Sequence, residues 1–149
     1  VAGALLPLAL SPFDLAPLGV VSFALALTVL WAQTPRQALL LGYVMGLGRY
    51  GVGASWIYVS IHEHGGASVP LAAAMVALWV AFLALFPALL AWAFSALRVR
   101  RPALAVLVFA ACQVMLEWLL GWFLTGFPWL FAGYSQLDWP LAGWAPVLG

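Results

Sequence analysis

Long apolar runs cut by short polar clusters set the plan of this chain. The first ten residues are apolar but too short to cross a membrane, which takes about 20 helical residues, so they are expected to be the tail of a helix. Ser11-Pro12-Phe13-Asp14 has the order of a helix start, with Ser as N-cap, Pro first and an acid three residues on, and predicts a second helix over residues 12–31. Gln33-Thr34-Pro35-Arg36-Gln37 repeats the signal, Thr34 capping and Gln37 reaching back, and predicts a third helix over residues 38–59. Ser60-Ile61-His62-Glu63-His64-Gly65-Gly66 reads as a polar, Gly-rich turn. A fourth helix follows over residues 69–97, with Pro87 as a kink inside it. Arg98-Val99-Arg100-Arg101-Pro102 closes that helix, and a fifth runs on to about residue 124. Asp138-Trp139-Pro140 is placed to start a sixth before the sequence stops at Gly149. The expectation is an all-α, polytopic transmembrane bundle of four full spans and two partial ones, forming one domain over residues 1–149.

Composition removes the soluble alternatives. Of 149 residues, 67% are hydrophobic and 6% charged, against about a quarter charged in an ordinary soluble domain. Formal net charge is +1, and all five cations are arginines, so there is no footprint for nucleic acid. The single Cys112 rules out an internal disulfide and a multi-thiolate metal site within one chain. Val1 begins directly in apolar sequence, with no basic leader and no initiator Met. Both ends are expected to be cuts in a longer chain.

Charge then orients the bundle. Arg36, Arg98, Arg100 and Arg101 fall in loops that alternation puts on one side, and Asp14, Glu63 and Asp138 fall on the other. The positive-inside rule makes the arginine side cytoplasmic. The turns at Asp14 and His62 and the loop around Phe127 are expected to share the periplasmic face.

Within the third helix, Gly42, Gly46 and Gly53 lie on one stripe, where small residues let a neighbouring helix approach closely. Arg49 shares that stripe, and a buried membrane arginine needs a partner. Glu117 is the only acid inside another expected span. Helical rises from Ala38 and Pro102 put Arg49 about 16 Å and Glu117 about 22 Å deep, a gap an arginine reaches across. An Arg49–Glu117 pair is therefore expected to clamp the third helix to the fifth.

The other chemistry-bearing residues are weaker signals. His62-Glu63-His64 lacks the spacing of a helical zinc motif, and no metal or cofactor is expected. Cys112 sits in an apolar helix, a setting that does not favour the thiolate. Ser60 or Ser135 with a histidine lacks a nucleophile-elbow context. A transporter or a non-catalytic scaffold is the alternative class. The former would want midplane polarity or paired repeats, and only Arg49, Gln113 and Glu117 supply such polarity.

The segment over residues 117–138 carries the strongest signal. Apolar helix breaks at Thr125-Gly126-Phe127-Pro128 and resumes through Trp129, Tyr134, Ser135 and Gln136, the composition of a loop lying against a membrane surface. L-T-G-F-P-W-L followed by G-Y-S-Q-L-D, with S-P-F-D, the G-L-G-x-x-G-x-G segment, W-I-Y-V-S-I-H and F-P-A-L in the same order, resembles the apolipoprotein N-acyltransferase family over nearly the whole chain. Two positions depart from it. Leu120 stands where relatives commonly carry arginine, and Arg49 stands where they are usually apolar, as if one arginine replaced the other beside Glu117.

The resemblance implies a bacterial inner-membrane enzyme that joins such a bundle to a periplasmic nitrilase-like domain beyond residue 149. A Glu-Lys-Cys set there would take an acyl chain from a phospholipid as a thioester. It would then pass the chain to the N-terminal amine of a diacylglyceryl-cysteine on an apolipoprotein. None of the three falls in this sequence, which has no lysine and carries its cysteine mid-helix. The expected role of this domain is to dock both lipid-anchored partners at the outer leaflet through Trp56, Tyr58, Ser60, Phe127, Trp129, Tyr134 and Gln136. An interfacial aromatic belt accounts for several of these without any ligand.

Overall fold

In the computed structural model, which describes residues 1–148, every regular element among those residues is helical. α3 (Pro35–Gly53) lies at the centre. Its start forms as a full capping box: Thr34 Oγ1 accepts from Gln37 N–H, and Gln37 Oε1 accepts from Thr34 N–H at 3.1 Å. The glycine stripe buries against α6 (Leu85–Ala96). A Cβ added at Gly46 would stand 2.7 Å from Ala84 Cα, and one at Gly42 2.6 Å from the Pro87 carbonyl oxygen. Any side chain at either position would push the two backbones apart.

α1 (Ala2–Leu8) lies along another face of α3, so close that a Cβ at Gly3 would overlap the Met45 carbonyl. α2 (Pro17–Leu30) joins it there, with Ser22 Oγ donating to Ala2 O at 2.7 Å. α7 (Pro102–Leu120) closes the bundle through Phe109, which meets Phe94 of α6 edge-on at 5.5 Å and Phe23 of α2 at 6.5 Å.

The structure moves several helix boundaries. Ser11 caps nothing: Asp14 takes a left-handed φ of 52°, which an α-helix does not pass through, and α2 begins only at the next proline, Pro17. The third helix stops at Gly53 instead of residue 59. There Ala54 leaves helical geometry at φ −113°, ψ 12°, and Ser55 Oγ donates to the Val52 carbonyl at 3.0 Å. After this break come α4 (Trp56–Val59), inside the expected third helix, and a π-helical turn, Ser60–His64, where a polar, Gly-rich turn was expected.

The kink in the fourth helix falls at Ala84, between α5 (Val69–Leu83) and α6. Pro87 is its cause, because it has no N–H for the Leu83 carbonyl and its ring crowds that oxygen. α7 ends at Leu120, four residues early, with Leu124 left-handed at φ 49° and Gly126 at φ 83°. The sixth helix is only a 3-10 stretch, Pro140–Trp144, and a short α8 (Ala145–Leu148), and Gly149 lies outside the described residues.

Two helical stretches are long and apolar enough to cross a membrane: Val69–Ala96, read through its kink, and Pro102–Leu120. Pro17–Leu30 is apolar but shorter, at 14 residues, and α3 carries Arg36 and Arg49.

The ends of the bundle differ in charge. Ser95 Oγ donates to Gln33 O at 2.6 Å, which brings the Arg98–Arg101 segment beside the start of α3, where Arg36 lies. At the other end, Asp14 and Asp138 border one cleft.

Candidate functional site

A buried polar node and an open aromatic cleft meet around the loop that follows α7. The node centres on one oxygen. Glu117 Oε1 accepts from Arg49 Nη2 at 3.2 Å, from Gln113 Nε2 at 2.7 Å and from the backbone N–H of Ala132 at 2.9 Å. Arg49 Nη2 also donates to the Leu130 carbonyl at 2.7 Å. α3, α7 and the loop are thus joined at one point, where the sequence pointed only to a helix–helix pair. Arg49 is 5% exposed, and its Nε has no protein partner. The residue also borders a small, half-open cavity of about 50 Å³ lined from α1, α2, α3, α6 and α7.

The loop reaches this node because α7 ends in a tight reversal. Gly126, at φ 83°, folds back onto Gly121, where any Cβ would overlap the Gly121 carbonyl. Phe127 N–H then donates to the Leu120 carbonyl at 2.7 Å, satisfying an acceptor the helix end leaves open. Leu130 is left-handed at φ 63° and buried at 5% exposure. Further on, Ser135 Oγ donates to Ala132 O at 2.7 Å and accepts from Gln136 Nε2 at 3.0 Å.

The cleft opens at the acidic end with a volume of about 810 Å³. Its walls come from Pro7 of α1, Leu10 just beyond that helix, the Ser11–Asp14 turn, the end of α3, Trp56 and the loop. Trp56 and Trp129 face each other across α4 and the loop, ring centroids 5.3 Å apart and tilted by 51°.

Of the seven side chains expected to meet substrate, Trp56, Trp129 and Tyr134 line this cleft. The other four lie outside it. Phe127 packs edge-on against Trp79 of α5 at 5.6 Å, and Gln136 is spent on Ser135. The Tyr58 ring lies tilted by 33° beside that of His62, centroids 5.6 Å apart, and Ser60 is exposed at the start of the π-turn. His62 Nδ1 lies 2.8 Å from the Ala67 carbonyl, an engagement that holds the turn.

Sequence reasoning missed the cleft's polar rim, Ser11, Asp14, Ser55 and Asp138. Ser11 and Asp14 were legible as a helix start and Asp14 as a charge on the same face as Asp138, but nothing in local sequence shows that the turn folds over toward Asp138 to rim a cleft. Cys112 lies at a separate apolar groove of about 530 Å³ between α6 and α7. Among the described residues, no group of three or more His, Cys, Asp or Glu is gathered for a metal ion.

Fold and site together define a class: a helical bundle of apolar helices with an aromatic cleft at one end and a buried charge pair beneath it. Residues 2–149 match the family described as Apolipoprotein N-acyltransferase N-terminal domain, and the chain belongs to that family. It is 53% identical over 150 residues to the apolipoprotein N-acyltransferase of Azotobacter vinelandii, covering 99% of this chain and 29% of that protein. The apolipoprotein N-acyltransferase of Pseudomonas syringae pv. tomato is also 53% identical over 150 residues, with 99% of this chain and 30% of that protein covered. That of Methylococcus capsulatus is 47% identical over 152 residues, at 99% and 29% coverage. The chain therefore spans 29–30% of the length of these curated relatives.

Proposed function

We propose that this chain is the membrane part of an apolipoprotein N-acyltransferase, which moves an acyl chain from a phospholipid to the N-terminal amine of a diacylglyceryl-cysteine on an apolipoprotein. The covalent steps belong to a nitrilase-like domain following residue 149. Its cysteine thiolate takes the acyl group with release of a lysophospholipid, and the substrate amine then displaces the thiol to form an amide. This bundle crosses the inner membrane four times, through the helices centred on α2, α3, α5–α6 and α7. Its arginine loops face the cytoplasm and its cleft faces the periplasm.

The observation that carries this reading is the cleft. Its volume of about 810 Å³ is in the range of small-molecule sites, and its lining joins Trp, Phe, Leu and Pro surface to a few hydroxyl and carboxylate groups. That mixture suits the place where an acyl chain meets its headgroup. Trp56, Trp129 and Tyr134 form the contact surface there. Tyr58, Ser60, Phe127 and Gln136 act around it, as supports of the wall or as contacts for the soluble domain.

Trp129→Ala in the full-length protein is the test. The variant is expected to fold and to transfer acyl groups with a KM for phospholipid raised about 3- to 10-fold, the scale of one lost aromatic contact. Unchanged turnover at all lipid concentrations overturns the assignment.

A further inference from the structure

We propose that Glu117 and Arg49 are positioning residues: the buried node sets the shape of the cleft wall that carries Trp129, although neither of the pair lines the cleft. The inference rests on the reading of that cleft as the lipid dock.

The connection is short and made of backbone. Arg49 Nη2 holds the Leu130 carbonyl at 2.7 Å, one residue from Trp129. Glu117 Oε1 holds the Ala132 N–H at 2.9 Å, three residues from Trp129. These two bonds grip the chain on either side of Phe131. Between them the backbone turns through a left-handed leucine at φ 63°, a conformation that leucine adopts only under restraint. The Leu130 side chain is meanwhile pressed onto Gly53, where a Cβ would stand 2.5 Å from Leu130 Cδ1. Held in this way, the chain carries the Trp129 ring to its place 5.3 Å from Trp56.

A pair that only clamps two helices would need neither loop bond. Glu117 gives one oxygen to three donors from three parts of the chain, and Arg49 divides one nitrogen between a carboxylate and a carbonyl. Releasing the loop bonds frees the turn at Leu130, so the Trp129 wall moves while the bundle stays assembled.

Ala132→Pro separates these two roles. It deletes the N–H that Glu117 holds and leaves the Arg49–Glu117 contact of 3.2 Å in place. Proline fits there, because residue 132 opens a 3-10 stretch and Phe131 before it is extended at φ −65°, ψ 141°. The experiment uses the full-length protein labelled with 5-fluorotryptophan in lipid nanodiscs. Fluorine NMR reads the Trp129 signal, assigned by Trp129→Phe, and the Trp56 signal, with Trp92 of α6 as the internal reference. Phospholipid KM and kcat are measured on the same samples.

The expected result is that Ala132→Pro shifts or broadens the Trp129 and Trp56 signals and leaves Trp92 unmoved. KM should rise about 3- to 10-fold, with kcat within about twofold, as a lost positioning contact predicts. Glu117→Gln keeps an oxygen for the loop N–H and should stay near the parent spectrum, whereas Glu117→Leu should reproduce the Ala132→Pro shifts. Trp129 and Trp56 signals that stay in place in both Ala132→Pro and Glu117→Leu overturn the inference. Signals that move without any change in KM leave the mechanical link standing and remove the reading of the cleft as the dock.

Discussion

Leu130 closes onto Gly53: a single added carbon at Gly53 would stand 2.5 Å from Leu130 Cδ1 and 2.6 Å from Cδ2. One glycine at the end of the central helix thus makes room for the buried leucine of a loop 77 positions later, and the cleft forms above that contact. Gly53→Ala is expected to push the leucine out of its seat and lower stability by about 1–3 kcal/mol, the range for overpacking. Thermal unfolding of detergent-solubilised protein measures it, and a midpoint equal to the parent's would show that the leucine yields freely.

The glycines that seat α6 are under tighter constraint, since their neighbours are backbone. Gly46→Val drives side-chain carbon into Ala84, already 2.7 Å from the first added atom. Loss of assembled protein, read by size-exclusion chromatography, is the expected outcome. Gly51→Val serves as the control, because a Cβ there meets only Val80 Cγ1 at 4.0 Å and that variant should assemble.

The charge pair gives an asymmetric prediction. Arg49→Leu leaves Glu117 charged and short of a partner, so it should destabilise by about 3–5 kcal/mol, as removing one member of a buried pair does. Adding Glu117→Gln removes the stranded charge and should recover a substantial part of that loss. Unfolding midpoints of the two single variants and the double variant form the cycle, and purely additive effects would count against coupling.

The end-to-end charge difference predicts orientation. With Cys112→Ala and the cysteines of the following domain also replaced as background, Glu63→Cys and Arg100→Cys each present one thiol to a membrane-impermeant maleimide in intact spheroplasts. Labelling is expected at position 63 and only after lysis at position 100. The reverse pattern would invert the topology.

Ser95→Ala tests the tie at the basic end. Losing its bond to the Gln33 carbonyl should cost about 1 kcal/mol, and a little more if that carbonyl is left dry, seen as a small fall in unfolding midpoint with unchanged acyl transfer.

Much of this architecture is written locally. The Thr34–Gln37 capping box, Pro35 and Pro102 at helix starts and the kink caused by Pro87 depend on neighbours within a turn, so sequence order alone specified them. The need of Arg49 for a partner was also legible, because a charge amid apolar residues has few options and Glu117 was the one acid at matching depth. Family motifs spread along the chain carried the membership in the same way.

Tertiary structure alone decided where those elements stop and what they gather. The third helix breaks past Gly53 where the Ala54 backbone leaves helical geometry, and whether α2 starts at Pro12 or Pro17 turned on the left-handed Asp14. Two of the three further partners of the charge pair are backbone groups, at Leu130 and Ala132, and backbone groups look the same at every position of a sequence. For that reason the pair could be anticipated from residue types, while its grip on the loop, and the cleft that the loop walls, required the folded chain.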